Sequence, residues 1–129
     1  MFKRHNPETV VGAFRGGYSQ AIEIGPNKRW LFTAGQVGVA PDGTAAKGFD
    51  AQVDQTWRNI ISLLAESDMS VKDIVKITGF IVGSGNFSAY VAGRKRHLGK
   101  IQPASTAIVV SALALPEWLV EIEAVAAKG

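Results

Sequence analysis

The stretch Phe49-Asp-Ala-Gln-Val-Asp-Gln-Thr-Trp57-Arg-Asn-Ile-Ile-Ser-Leu-Leu64, followed after a polar break by Ile74-Val-Lys-Ile-Thr-Gly-Phe-Ile-Val82, decides the fold class. In its first part Phe49, Val53, Trp57, Ile60, Ile61 and Leu64 recur at steps of three and four, which predicts an amphipathic helix over residues 47–67. Asp50, Gln52, Asp54, Gln55, Arg58 and Ser62 take the opposite, polar face. The second part is rich in β-branched residues and predicts a mostly buried strand. Ser70-Val-Lys-Asp73 between them reads as a short turn.

Upstream, Tyr18-Ser-Gln-Ala-Ile-Glu-Ile24 alternates with period two and reads as a strand. Gly25-Pro-Asn-Lys28 is a turn and Trp30-Leu-Phe-Thr-Ala34 a second strand, so residues 18–34 read as a hairpin. Gly35-Gln-Val-Gly38 leaves that strand, and Pro41-Asp-Gly43 turns again. Downstream, Gly83-Ser-Gly85 ends the buried strand and Asn86 is an N-cap candidate for a second helix reaching Gly99. Phe87, Tyr90, Val91, Arg94, His97 and Leu98 share its stripe. Gly93 inside it costs about 1 kcal/mol relative to Ala. After Pro103, residues 104–112 read as a strand, Pro116 marks a turn, and Trp118 to Ala126 forms the last strand. There Val120, Ile122 and Ala124 point one way, and Leu119, Glu121, Glu123 and Val125 the other.

The predicted order is ββ-α-β-α-ββ, with room for one more strand near Val10–Phe14. This is an α+β fold, a mixed β-sheet with two helices on one face. The other face would carry Glu121, Glu123, Ser and Thr side chains and scattered apolar residues. A partly apolar sheet face without a helix over it needs a partner, which predicts a homo-oligomer.

The chain has 129 residues, 47% hydrophobic and 19% charged, which suits one globular domain spanning 1–129 and not a disordered chain. No apolar run reaches the roughly 18–20 residues that cross a bilayer. The polar stretch Met1–Val10 lacks a signal core, so a cytoplasmic location is expected. Absence of cysteine removes disulfides, thiolate catalysis, iron–sulfur clusters and zinc-thiolate sites. The formal charge is +3, and Gly93-Arg-Lys-Arg-His97 is the one basic cluster. Its plain reading is a solvated helix face, which argues against a nucleic-acid partner.

No phosphate-binding glycine loop, dinucleotide fingerprint or nucleophile elbow is present. The histidines, His5 and His97, have no metal-ligand spacing. What remains is a set of polar residues at strand ends. Glu121 and Glu123 share one strand face, either as ordinary carboxylates of an interface or with one of them activating a water. A carboxylate partly desolvated at an oligomer interface suits general-base work. Tyr18, after Gly16-Gly17, is an edge-strand aromatic or a cleft wall offering a hydroxyl. Ser105 and Thr106 are too common in strands to speak alone.

Taken together these segments resemble the RidA/YjgF family, also called the L-PSP endoribonuclease family. The resemblance rests on Tyr18-Ser-Gln-Ala-Ile, Leu31-Phe-Thr-Ala-Gly-Gln36, Gln52 with Asn59-Ile60, Asp73-Ile-Val-Lys-Ile-Thr78, Pro103-Ala-Ser-Thr106 and Val120-Glu-Ile-Glu-Ala-Val-Ala126, in family order from about residue 16 to 127. It implies a chorismate-mutase-like fold, a homotrimer with clefts between subunits, and hydrolysis of reactive enamines or imines to a carbonyl compound and ammonia. That chemistry needs no metal or cofactor. Carried over by position, Glu121 is the catalytic water-orienting glutamate, Tyr18 the cleft tyrosine and Gly35 the turn glycine, with Ser105 and Thr106 in the substrate-binding segment. The family arginine that clamps a substrate carboxylate does not carry over, because Ser105 stands there. Val91 and Ala107 likewise replace the family's asparagine and a frequent cysteine, and the segment 87–103 looks about three residues shorter than in well-known members.

A hydroxyl cannot replace a bidentate guanidinium. Three readings follow. The favoured one is a deaminase or related hydrolase for a substrate without that carboxylate, different from ordinary 2-imino acids. In the second, another cation, Arg15, Arg94 or Arg96, enters the cleft. In the third, the trimer binds or senses a small molecule without catalysis. Ribonuclease activity, implied by one family name, has little support in the basic cluster.

Overall fold

The computed structural model describes residues 2–10 and 17–129. The strands are β1 (Phe2–His5), β2 (Ala21–Ile24), β3 (Arg29–Phe32), β4 (Gln36–Val37), β5 (Ile74–Val82), β6 (Ala104–Val110) and β7 (Val120–Lys128). The helices are α1 (Phe49–Glu66) and α2 (Phe87–Leu98), with single 3-10 turns at Val71–Asp73 and Ser84–Asn86.

The main sheet runs β3-β7-β5-β6, and β4 also pairs with β7. Its β5–β6 pair is parallel, with Ile77 opposite Ser105 and Gly79 opposite Ala107. The other pairs are antiparallel. A parallel pair needs a crossover, which α2 supplies. The expected mixed sheet with both helices on one face is what the fold has. Val53, Trp57, Ile60 and Leu64 from α1 and Tyr90 and Leu98 from α2 meet Ile77, Ile81, Val120 and Ile122 of the sheet in one core. Ile61, placed on the α1 stripe by its spacing, is instead among the exposed large hydrophobic residues.

Two local expectations need correction. The 18–34 hairpin does not form. β2 pairs with β1, Phe2 opposite Ile24, whereas β3 pairs with β7, Phe32 opposite Val125. The turn carries Asn27 at φ 61, and the chain leaves it for another sheet. The β1–β2 ribbon sets Lys3 opposite Glu23, and His5 Nε2 lies 2.9 Å from Glu23 Oε1. Opposite charges across a ladder help to hold such a pair, and a short charged segment gives no hydrophobic period to read. Residues 11–14 of the further strand expected near Val10–Phe14 lie outside the described residues. Finally, Gly35–Gly38 does not simply leave the sheet, because Gln36 and Val37 pair with Ile122 and Glu121.

Gly93 has a packing reason. A Cβ there would overlap Val53 Cγ1 and lie 3.2 Å from Val53 Cβ, so glycine lets α2 approach α1. Asn86 stands at the α2 N-cap position but does not cap it with its side chain. Its amide Nδ2 donates to the Val82 carbonyl at 2.8 Å and ties the helix start to the end of β5.

The basic cluster is not one solvated face. Arg96 Nη2 and His97 Nε2 lie 2.9 and 2.8 Å from Asp54 Oδ1 on α1, His97 stacks on Trp57, and Arg94 turns into the protein. Burial works to raise the Asp54 carboxyl, but the hydrogen bonds from His97 and Arg96 override it and hold the group below its ordinary value. No described helix is long and apolar enough to cross a membrane.

Candidate functional site

Strand alternation sorts the candidate residues into two groups. The first lies on the helix-free face. Glu121 is half-buried and pairs with Val37 of β4 and Phe80 of β5. Its carboxylate packs against the backbone of Gly35. A Cβ at position 35 would overlap Glu121 Oε2 and lie 2.8 Å from Cδ and 3.0 Å from Cγ. Glycine therefore lets the carboxylate seat directly against the turn, which is a physical role for the turn glycine.

Asn59 of α1 holds the loop that makes this contact. Its Nδ2 donates to the Val37 and Val39 carbonyls, both at 3.0 Å. Gln52 does similar work two turns earlier. Its Nε2 donates to Ala46 O and Glu117 O at 3.1 and 2.9 Å, and its Oε1 accepts from Leu119 N at 2.8 Å. Gln52 is buried. These bonds tie α1 to the segments before and after it and fix where β7 begins. The helical period placed Gln52 on a polar face, which could not reveal this role. Glu123 shares the face of Glu121, opposite Thr78, but is exposed.

The second group lies at the start of β6. Ser19 bridges Ala104, its N–H donates to Pro103 O at 3.1 Å and its hydroxyl to Gln102 O at 2.5 Å. This anchors half-buried Tyr18, whose hydroxyl accepts from Gln20 Nε2 at 3.4 Å. Ser105 is half-buried and faces the helices, because it alternates with Thr106 and shares the side of Ala107, which packs against the core. Thr106 points to the other face and accepts a hydrogen bond from Lys76 Nζ at 2.7 Å. Arg94 is 8% exposed, and the Tyr90 and Tyr18 phenols are close enough to act on it electrostatically. Burial pulls its guanidinium down from the ordinary value. Burial also pushes the Tyr90 phenol up to about 12, with Arg94 opposing. The Tyr90 hydroxyl has no hydrogen-bond partner and lies against Gly79, where a Cβ would overlap it. Arg15 lies outside the described residues.

Within one chain the two groups do not meet. Glu121 pairs with Phe80, and Phe80 with Ile108, three residues beyond Ser105. Two strand spacings and three residues of rise separate the sites by roughly 14 Å, on opposite faces. The helix-free face also carries stacked Trp30 and Phe32, the latter 70% exposed, and exposed Ile108.

Residues 11–128 match the family model for endoribonuclease L-PSP. The chain is 34% identical over 115 residues to a RutC family protein of Pyrococcus abyssi, covering 88% of this chain and 87% of that one. It is 30% identical over 118 residues to a 2-iminobutanoate/2-iminopropanoate deaminase of Salmonella typhimurium, covering 88% of each. The crystal structure of a conserved Rid-family protein of unknown function from Yersinia pestis superposes with a TM-score of 0.85 at 32% identity, over 97% of both chains. The near-complete match of the sequence, and the same sheet and helices in its relative, show that the chain belongs to the endoribonuclease L-PSP family, that is, the RidA/YjgF family.

Proposed function

We propose that the chain hydrolyses small reactive enamines or imines at clefts between the subunits of a homotrimer, with Glu121 positioning the attacking water. The observation that carries this reading is the Glu121 carboxylate, half-buried and fitted against Gly35 at the β4–β7 junction. Water adds to the imine carbon while Glu121 accepts a water proton, giving an amino alcohol. Proton return to nitrogen and loss of ammonia leave the carbonyl product. The substrate carbon is already electrophilic, so the protein's main work is to place water and substrate together. No metal or cofactor enters this scheme.

A second copy supplies what one chain separates. The apolar helix-free face of Trp30, Phe32 and Ile108 is the surface to be buried between copies, and burial would bring the Glu121 group of one subunit to the β6 edge of another. The name of the Salmonella relative supports the reaction class. Ser105, where the family has arginine, points to a substrate other than ordinary 2-imino acids held from position 105. The same residue favours a second reading, a trimer that binds a small molecule without consuming it. A cytoplasmic location fits either.

The test pairs an amino-acid oxidase, which generates imines from a panel of amino acids, with semicarbazide capture of those not yet hydrolysed. Wild type should accelerate hydrolysis of at least one imine and Glu121→Ala should lose that activity. Equal activity in the two proteins would remove Glu121 from the mechanism. Consumption of no imine by a protein that still binds a ligand would favour the binding reading. A monomeric mass by light scattering at micromolar protein would refute the shared cleft.

A further inference from the structure

Among the described residues Arg94 is the only buried charged side chain. The ion pairs found there are His5–Glu23, Arg96–Asp54, His97–Asp54 and Lys128–Asp68, and none involves Arg94. It makes no side-chain hydrogen bond with a described residue either. Residues 11–16, Val-Gly-Ala-Phe-Arg-Gly, contain no acid that could pair with it. Its titratable neighbours by electrostatics are two phenols, Tyr90 and Tyr18, and no carboxylate is among them. A guanidinium withdrawn from water without an anion is costly unless an anion joins it. The sealed, partnerless side-chain atoms are Trp57 Nε1 and Tyr90 Oη. No Arg94 nitrogen is among them, so the guanidinium retains an opening to solvent.

The fold places this opening. α2 joins the end of β5 to the start of β6 and runs back along them, its first turn near Ser84–Asn86 and its later part near Val71–Asp73. Tyr90 lies over Gly79. Four residues on, Arg94 is about 6 Å further along the helix axis. Ile77 is about 6.6 Å back along β5. Arg94 is thus level with Ile77, whose partner on β6 is Ser105. Tyr18 adjoins Ser19, which bridges Ala104. Arg94, Tyr18 and Ser105 converge on the start of β6.

We propose that Arg94 is the anion-binding residue of this cleft, reaching from α2 to the side of Tyr18 and Ser105 to take the carboxylate of a small monoanionic substrate. The clamp absent from position 105 is supplied from another backbone position, so the substrate carries an acid group but enters with that group turned toward α2. A planar, forked guanidinium suits a carboxylate. One buried cation balances one negative charge. Lys76 engages Thr106 on the opposite face and Arg96 engages Asp54. A phosphate dianion would leave a surplus charge in a buried place. The proposal deepens the deaminase reading and takes the substrate's chemistry from it, but binding can be read without turnover.

The test is calorimetric titration of the oligomer with pyruvate, methyl pyruvate and inorganic phosphate, for wild type, Arg94→Met and Arg94→Lys, each checked for an unchanged melting temperature. Wild type should bind pyruvate at least tenfold more tightly than methyl pyruvate or phosphate. Arg94→Met should lose the preference for pyruvate over its ester, and Arg94→Lys should retain part of it. Equal binding of acid and ester, tighter binding of phosphate, or an unchanged preference in Arg94→Met would overturn the proposal. If Arg94→Met does not fold, Arg94→Lys decides, since an unaltered pyruvate affinity would contradict a forked contact. Imine hydrolysis without carboxylate preference would refute the Arg94 proposal alone. Carboxylate preference without hydrolysis of any imine would refute the deaminase reading alone.

Discussion

The contact between Gly35 and Glu121 allows stability and activity to be separated by one methyl group. In Gly35→Ala the added Cβ meets Glu121 Cδ at 2.8 Å and Cγ at 3.0 Å. Ordinary carbon contacts are about 3.5–4.0 Å, so the carboxyl carbon must retreat by about 0.7–1.2 Å. Position 35 is not in the left-handed region, so alanine's backbone is unstrained. The obstructing atoms belong to the end of a half-buried flexible side chain, which can turn to another rotamer for about 0.5–1.5 kcal/mol. The expected loss of stability is therefore about 1 kcal/mol, a few degrees in Tm for a chain of this size. The expected loss of activity is larger, because misplacing a positioning group by about 1 Å can cost on the order of 100-fold. Imine hydrolysis by semicarbazide capture and a thermal melt on the same preparation read both quantities. Wild-type turnover in a folded Gly35→Ala protein would refute the claim that the seating of Glu121 against the turn controls the reaction. A collapse of Tm would refute the claim that only the side chain gives way.

Other consequences concern the frame. Tyr90→Phe deletes a buried hydroxyl without a partner, so chemical denaturation at pH 7 should show it equal to wild type or more stable by about 1 kcal/mol. The phenol raised to about 12 is kept neutral by the fold. Its contribution is complete below the unfolded value near 10 and is lost as pH rises toward 12, on the order of 2 kcal/mol, and Tyr90→Phe should lack that alkaline loss. Gln52→Leu breaks three hydrogen bonds of a buried amide and should cost about 2–4 kcal/mol in urea unfolding. The Asp54 carboxyl, lowered against the pull of burial by His97 and Arg96, contributes stability above its unfolded value near 4 and loses it as pH falls through the lower folded value. Asp54→Asn should flatten that acid limb and cost about 1 kcal/mol at neutral pH.

Much of the fold was written in local pattern. The α1 stripe, the buried β5 run and the alternation of β7 each follow from side-chain period, and they appear within a residue or two of the expected bounds. Glu121 and Gly35 stood out through their motifs, before any contact between them was known. Pairing was not legible in the same way, because strand hydrogen bonds are made by backbone groups that every residue shares. Two adjacent strands with a turn between them looked like a hairpin, yet β2 went to β1 and β3 to β7. The roles of Asn59 and Gln52 also escaped local reading, since an amide that ties distant loops has the same sequence signature as a solvated one. Arg94 is the sharpest case. In sequence it belongs to a basic run and also shares the stripe of Phe87, Tyr90, Val91 and Leu98, so the pattern alone leaves both faces open to it. Only the close approach of α2 to α1, allowed by Gly93, and the crossover above β5 and β6 decide that this one cation is buried near Tyr90 and Tyr18 while its neighbour Arg96 stays partly exposed and pairs with Asp54. Period and motif determined which elements form and which family they make. The placement of a charge out of solvent depends on surfaces that come together only when those elements pack.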